Sequence, residues 1–445
     1  MLSIHRKYLI HHFLWWKKKA GFFKFPNISN VTNKLVFDIK RHRSSASSTR
    51  DNDNRFSDDK LDFSPKRVAM VVKMTRFEYE NRVNAFCSQE ELKKMLISKG
   101  SDYDGLLQRH IMHHDTMRQM KKGFEARGIE VEMVERQNYN NEVINWADAI
   151  FSAGGDGTYL LAASKVKNQS KPVIGINTDP VRSEGYLCLS KYYSRNFKEA
   201  LDKLLAGKFK WLFRQRIRIK VSGAHENDEP VELYEQELYN PENRFVEHVR
   251  ENEETSKVAA SKKVRETRIL PVLALNEVFM GESLSARVSY NEISVDDCPP
   301  EKQKSSGVTV CTGTGSTSWF FNINLIPETS IEEILKIANR LTKCEIPHDN
   351  LNFRRTVAQQ FNESLRFDPS AGHMAYTIRD PVVNGIFQVS NPRGFANKIV
   401  IKSRMWDAKL VVDGGLSFCF NDGAVATLEI FESDALRTVT LDGKG

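Results

Sequence analysis

Five residues, Gly154-Gly155-Asp156-Gly157-Thr158, constrain this chain more than any other stretch. They follow Ala147-Asp148-Ala149-Ile150-Phe151, which reads as the end of a strand. They precede Tyr159-Leu160-Leu161-Ala162-Ala163-Ser164-Lys165, a run of good helix formers. A strand, a glycine turn and a helix start together make an anion site. Glycine lets the backbone approach a phosphate, and the first helical N–H groups point at it. Asp156 is unusual in such a loop, because its charge repels phosphate. It makes sense if it works beside the phosphate, as a base or through a metal. The alternative is a Gly-Asp-Gly turn that holds no ligand.

The flanking sequence supplies a sheet for that loop. Apolar or alternating runs at 67–72, 129–134, 149–153 and 172–176 read as strands, and roughly 104–127 reads as a helix. Strands separated by helices imply a parallel α/β sheet, whose ligands bind at the carboxyl ends of its strands. After about residue 210 the pattern changes. Alternating runs at 216–221, 291–295, 308–311, 399–403 and 410–412, and in parts of 273–280, imply an all-β second domain. Residues 222–268 interrupt it with a highly charged stretch poor in large apolar side chains, which reads as a flexible surface insertion. Residues 331–366 read as helical, with Ile331, Ile334, Leu335, Ile337 and Ala338 as an expected buried stripe.

The net charge of +8 is concentrated at one end. Residues 1–50 hold eleven Lys/Arg and the single acid Asp38, while the other 395 residues hold 54 basic and 56 acidic side chains. The body therefore lacks the basic surface that nucleic-acid binding requires, and no nucleic-acid partner is expected. The head interleaves basic residues with Leu9, Ile10, Phe13, Leu14, Trp15 and Trp16, and ends in serines. That is the pattern of a mitochondrial transit peptide; a basic disordered tail that touches membranes is the alternative. No stretch has the length of a transmembrane helix. The six cysteines lie far apart without metal spacing, so most are expected to be small buried residues in a reducing compartment. His110 and His114 share a helix face beside His113, yet no H-E-x-x-H pattern and no third ligand accompany them. They read as structural or surface histidines, and no metal site is expected among the chain's own residues.

Two further motifs lie in the β part. Asn276-Glu277 follows the apolar Leu273-Ala274-Leu275, and Cys311-Thr312-Gly313-Thr314-Gly315-Ser316-Thr317-Ser318-Trp319 follows the strand at 308–310. Hydroxyls with an Asn-Glu pair suit a ribose and an amide, because a ribose hydroxyl both donates and accepts. Taken singly, each is also an ordinary turn or cap.

In this order the motifs resemble the NAD kinase family, over roughly residues 66–445. The chain carries the phosphate loop with its T-x-L-x-A-A continuation, and Val173-Ile174-Gly175-Ile176-Asn177 followed by Gly185-Tyr186-Leu187. It carries the Asn-Glu pair, T-G-T-G-S-T-S-W where the family usually reads T-P-T-G-S-T-A-Y, and a late Val412-Asp413-Gly414. Asn177-Thr178-Asp179-Pro180, Arg182-Ser183-Glu184-Gly185 and Lys302-Gln303-Lys304-Ser305-Ser306-Gly307 are similar to the family's mitochondrial type in animals.

The resemblance implies a Rossmann-like α/β nucleotide domain at 66–205, rejoined by a segment at about 425–445, and a β-sandwich-like NAD-binding domain at 206–424. Residues 1–50 and 51–65 are then transit peptide and linker. It implies phosphoryl transfer from ATP to the 2′-hydroxyl of the adenosine ribose of NAD, giving NADP in the mitochondrial matrix. Asp156 is implied as the catalytic residue and Gly154, Gly155, Gly157 and Thr158 as the ATP-phosphate cradle. Asn276, Glu277, Thr314, Thr317, Ser318, Trp319 and Asn322 match positions where the family holds NAD. Mg²⁺ is expected to arrive with ATP, and a homodimer is expected because the family is usually oligomeric. Ser306 stands where many members carry an aspartate that reaches NAD from a neighbouring subunit, Gly313 replaces the usual proline and Trp319 the usual tyrosine. A lipid kinase of the diacylglycerol or sphingosine type shares the G-G-D-G-T loop but reads Asn-Glu directly after it, where this chain has Tyr159-Leu160. A non-catalytic NAD-binding regulatory protein is the other alternative.

Overall fold

Arg67–Val72, Ala149–Gly154 and Val173–Asn177 are apolar almost throughout, as strands covered on both faces must be. In the computed structural model they are β1, β3 and β4 of a parallel sheet completed by β2, Glu130–Glu135, in the order β2-β1-β3-β4. The structure describes residues 62–183, 185–223, 229–233, 267–384, 387 and 391–441. The expected transit peptide, most of the linker, and residues 224–228 and 234–266 of the insertion lie outside the described residues.

Alternate side chains of β1 enter two different cores. Val68 and Met70 face the helices Tyr103–Glu125 (α3) and Phe197–Leu205 (α7), through Met120, Phe124, Phe197 and Leu201. Ala69 and Val71 face Asn141–Trp146 (α4) and Asp156–Ser164 (α5), through Val143, Ile144, Tyr159 and Ala162. Two short helices, Arg76–Val83 (α1) and Gln89–Ser98 (α2), lead into α3, and Lys191–Arg195 (α6) leads into α7. Phe63 packs on Phe151, Phe209 and Trp211 and is buried, so the expected linker ends before it. Burying a phenyl ring stabilises by roughly 2 kcal/mol, enough to hold the chain's entry to β1.

The second half is a sandwich of two antiparallel sheets. One runs β11-β10-β15-β18-β6-β8, formed by Glu301–Ser305, Ser289–Val295, Lys398–Ser403, Val425–Ile430, Ile217–Ser222 and Thr267–Ala274. The other runs β14-β13-β12-β9-β16-β17-β7, formed by Arg393–Ala396, Met374–Ile378, Val308–Cys311, Glu277–Glu282, Ala408–Val412, Leu416–Cys419 and Val231–Glu232. In β6 the alternation Ile217, Ile219, Val221 inside and Arg218, Lys220, Ser222 outside is complete. These side chains meet Val278, Met280, Val310 and Leu410 of the facing sheet in one core. Among the described residues no helix is long and apolar enough to cross a membrane.

Three expectations need correction. The return to the α/β half starts later than residue 425. β18 is an inner strand of the six-stranded sheet, and it is β19, Leu436–Thr440, paired with β5, Lys210–Arg214, that places Leu436 and Val439 in the cores of the parallel sheet. The region 331–366 forms two helices, Glu328–Thr342 (α9) and Leu351–Glu363 (α10), after Trp319–Asn324 (α8). Of the expected buried stripe only Ile331 is buried, while Ile334 and Ile337 are 51% and 45% exposed, because α9 lies outside the sandwich core. Of the six cysteines only Cys311, in a central strand, is buried; Cys87, Cys298 and Cys344 lie in connections between elements and are exposed.

Candidate functional site

The loop 154–158 lies where the sequence places it, at the carboxyl end of β3 and the start of α5. Gly155 is the N-cap and contributes no side chain, so no side-chain cap occupies the first helical N–H groups. Gly154 is required by packing: a Cβ there would lie 2.2 Å from Thr158 Oγ1. Gly155, Gly157 and Thr158 open onto a cavity of about 280 Å³ that Lys73 and Arg136 also line. Lys73 follows β1, and burial holds its ammonium below the usual lysine range, against the opposing pull of Asp179. Arg136 is paired with Glu232. The result is a pocket of backbone donors and two cations, suited to a polyphosphate.

Asp156 points away from helix α5 toward the loop after β4. Its Oδ2 accepts from the Tyr186 N–H at 3.1 Å and its Oδ1 from the Leu187 N–H at 3.0 Å. A carboxylate offers about four lone pairs, so two remain for a substrate hydroxyl. The two N–H bonds fix the orientation of the group. The loop is itself tied to α3, because Thr178 Oγ1 bonds His113 Nδ1 at 2.9 Å. Burial lowers the His113 pKa to about 4, so this ring is neutral.

The second constellation is organised around a residue to which sequence reasoning gave no role. Asp413 is half-buried, with its carboxylate turned inward, where it accepts the N–H groups of Leu275, Asn276 and Glu277 at 2.7–3.1 Å. Glu277 Oε2 accepts from Ser318 Oγ at 2.7 Å, and Thr312 Oγ1 donates to the Leu275 carbonyl at 2.5 Å. Gly315 sits where a Cβ would lie 2.0 Å from the Asn276 carbonyl oxygen, so only glycine lets the two motifs touch. Burial pushes Glu277 up to about 7, with the Asp413 charge adding to it, and pushes Asp413 up to about 6 against its three N–H donors. The buried Asn276 Oδ1 has no hydrogen-bond partner among the described residues.

Asn276, Glu277, Thr314 and Ser318 are thus brought together, and Thr314 Oγ1 also accepts from Arg214 at 3.3 Å. Thr317 is half-buried on the same turn and donates to the Thr314 carbonyl. Trp319 is at the rim, against Phe279 with Arg379 over its ring. Asn322 is not brought in: it is exposed on α8, and its amide donates to the Ser318 carbonyl one turn back.

Two devices join the halves. Leu275, next to Asn276, packs in the same core as Tyr159 of α5 and Leu187 beside Asp156. Arg216, fully buried, donates to the Ala163 and Val166 carbonyls at the end of α5 and to the Asp434 carbonyl. A cation on those carbonyls favours the helix whose start forms the phosphate loop. Arg216 was missed because nothing in an alternating strand marks one basic residue as buried. The histidines also find what the sequence did not show. Glu78, from α1, lies against His110 and His114, and the three ligand atoms are within 4.8 Å of one another.

The family model and the curated relatives agree with one another. A family model described as the ATP-NAD kinase N-terminal domain matches residues 58–209. The chain is 48% identical over 383 residues to NAD kinase 2, mitochondrial, of Homo sapiens, covering 85% of each chain. It is 46% identical over 398 residues to the protein of the same name in Xenopus tropicalis, covering 85% of this chain and 92% of that one. Among solved structures, an NAD kinase from Archaeoglobus fulgidus in complex with ATP aligns at 17% identity and a TM-score of 0.45, covering 85% of this chain and 94% of that one.

Proposed function

Because this chain belongs to the NAD kinase family, we propose that it transfers the γ-phosphoryl group of ATP to the 2′-hydroxyl of the adenosine ribose of NAD, giving NADP, in the mitochondrial matrix. The observation that carries this reading is the shared core of Leu275, Tyr159 and Leu187. It ties an anion-binding loop to a hydroxyl-lined cluster in one rigid frame. Phosphoryl transfer depends mainly on such positioning and on electrostatics.

In this mechanism Gly155, Gly157 and Thr158 cradle the donor phosphates, Gly154 is buried behind them and leaves room for Thr158, and Lys73 and Arg136 offset the phosphate charge. Asp156 orients the 2′-hydroxyl and takes its proton through the lone pairs that Tyr186 and Leu187 leave unused. Asn276, Glu277, Thr314, Thr317 and Ser318 hold NAD, and Trp319 offers a ring edge at the rim for its base. The outward position of Asn322 weighs against a direct contact from that residue.

The carboxylates around the phosphate cavity suit a cation that comes with ATP rather than a protein cage. Asp156 is engaged by two N–H groups, Glu135 by Arg82 and Glu232 by Arg136. The cation that comes with ATP would supply neutralisation of the donor phosphates' charge, beside Lys73 and Arg136.

Residues 66–205 with β19 form the nucleotide half and the sandwich the NAD half, while residues 1–50 direct import. Homodimerisation is supported by the apolar row Ile334, Ile337 and Leu341 on one exposed face of α9. One assay tests the activity. The purified chain receives Mg-ATP with NAD, with diacylglycerol, or with neither. NADP in the first arm alone is the expected result. Phosphorylated lipid would favour the lipid-kinase alternative, and no product in any arm would favour a regulatory protein.

A further inference from the structure

The phosphoryl-transfer mechanism leaves one cluster of ligating side chains unused, on the outer side of α3. Thr75 and Glu78 form a capping box at the start of α1. Glu78 Oε2 accepts the Thr75 N–H at 2.7 Å, which anchors the carboxylate and leaves Oε1 directed at α3. Two histidines four residues apart, and therefore on one face of α3, meet it there. His114 Nε2 lies 2.7 Å and His110 Nδ1 3.9 Å from that oxygen, and all three ligand atoms fall within 4.8 Å of one another. A tetrahedral ion bound at about 2.0–2.1 Å sets its ligands roughly 3.3 Å apart, so small side-chain rotations suffice. The side chains are 23–36% exposed, which leaves a route in and a fourth position for water.

We infer that Glu78, His110 and His114 form a binding site for a divalent cation of the zinc class, held by two imidazoles and one carboxylate with one position open to water. The donor set selects against magnesium and calcium, which prefer all-oxygen ligands. His110 Nδ1 lies 3.0 Å from Thr75 Oγ1, and an ion would take the place of that hydrogen bond. An ion here clips α1 to α3. Lys73 of the phosphate cavity lies just before α1, and His113 on α3 holds the loop that orients Asp156.

The experiment uses the full chain, stripped by a chelator and titrated with Co²⁺ and then Zn²⁺. The expected result is one equivalent of zinc per chain, a visible Co²⁺ ligand-field band that zinc displaces, and a higher melting temperature with zinc. His110→Ala and His114→Ala are each expected to weaken binding by roughly 10–100-fold or more. Glu78→Gln is expected to do the same. If that variant fails to fold because its capping box is lost, the histidine variants, which keep the cap, decide the matter. The chain has eleven histidines, so uptake alone is not sufficient. Absence of stoichiometric uptake overturns the site, and so does uptake that both histidine variants leave unchanged.

Discussion

The two halves of the proposed site are built by different means. The phosphate loop is local: five consecutive residues, a strand before and a helix after, with backbone N–H groups as its working parts. The Asn276–Glu277 cluster is assembled from afar. Asp413 reaches across 136–138 residues to hold three of its N–H groups, and Ser318 reaches across 41 to bond Glu277. A loop made of backbone tolerates little change of shape but holds few buried charges. A cluster made of side chains gathers two carboxyls into a dry interior, and both are pushed up by burial. Damage to the first half should therefore show in turnover, and damage to the second in stability, pH dependence and NAD affinity.

The largest effect is expected at Asp156. Asp156→Asn keeps the size of the side chain but replaces one of the oxygens that accept from Tyr186 and Leu187 with an amide nitrogen. It also removes the base. Turnover should fall by roughly 10²–10⁴ with the circular-dichroism spectrum unchanged. A folded variant with near-normal turnover would remove Asp156 from the mechanism.

Asp413→Ala comes next. Three buried N–H groups lose their acceptor, and leaving such donors unpaired costs on the order of 3 kcal/mol in all. Urea unfolding should show that loss, and the KM for NAD should rise more than the KM for ATP. Full stability with an equal change in both constants would show that the two halves are not built differently in this respect.

A smaller effect separates the halves by pH. A carboxyl raised to about 7 keeps its proton in the folded chain over a range where the unfolded chain has lost it. Its contribution is thus complete below about pH 4.5 and declines as pH rises to about 7, then stays flat. Glu277→Gln removes that titration. The fall in unfolding free energy between pH 5 and pH 8 should shrink by on the order of 2 kcal/mol relative to the unsubstituted chain. Parallel stability curves would show that Glu277 is not the titrating group.

The same contrast explains what was legible in the sequence. Periodicity exposed β6 and most central strands, because alternation records which face is dry. The loop at 154–158 was legible because its parts are contiguous. Asp413, Arg216 and Glu78 were not, since each acts on residues far away in the chain and looks on its own like a turn, a strand or a cap residue. The α9 stripe was misjudged for the opposite reason. Helical periodicity shows that a face is apolar, not that anything within the same chain covers it.

The smallest effects are expected at the residues that only touch NAD, and they test whether the second half holds that substrate at all. Asn276 is buried with its Oδ1 unpartnered, which fits an acceptor waiting for a ligand donor. Thr317 uses its hydroxyl hydrogen on the Thr314 carbonyl and keeps lone pairs for an incoming group. Losing one neutral hydrogen bond to a ligand costs about 1 kcal/mol, so Asn276→Ala and Thr317→Ala should each raise the KM for NAD roughly fivefold. The KM for ATP should hardly move, because neither side chain lines the phosphate cavity. A rise of equal size for both substrates would mean that the two variants loosen the shared core around Leu275 rather than a contact with NAD.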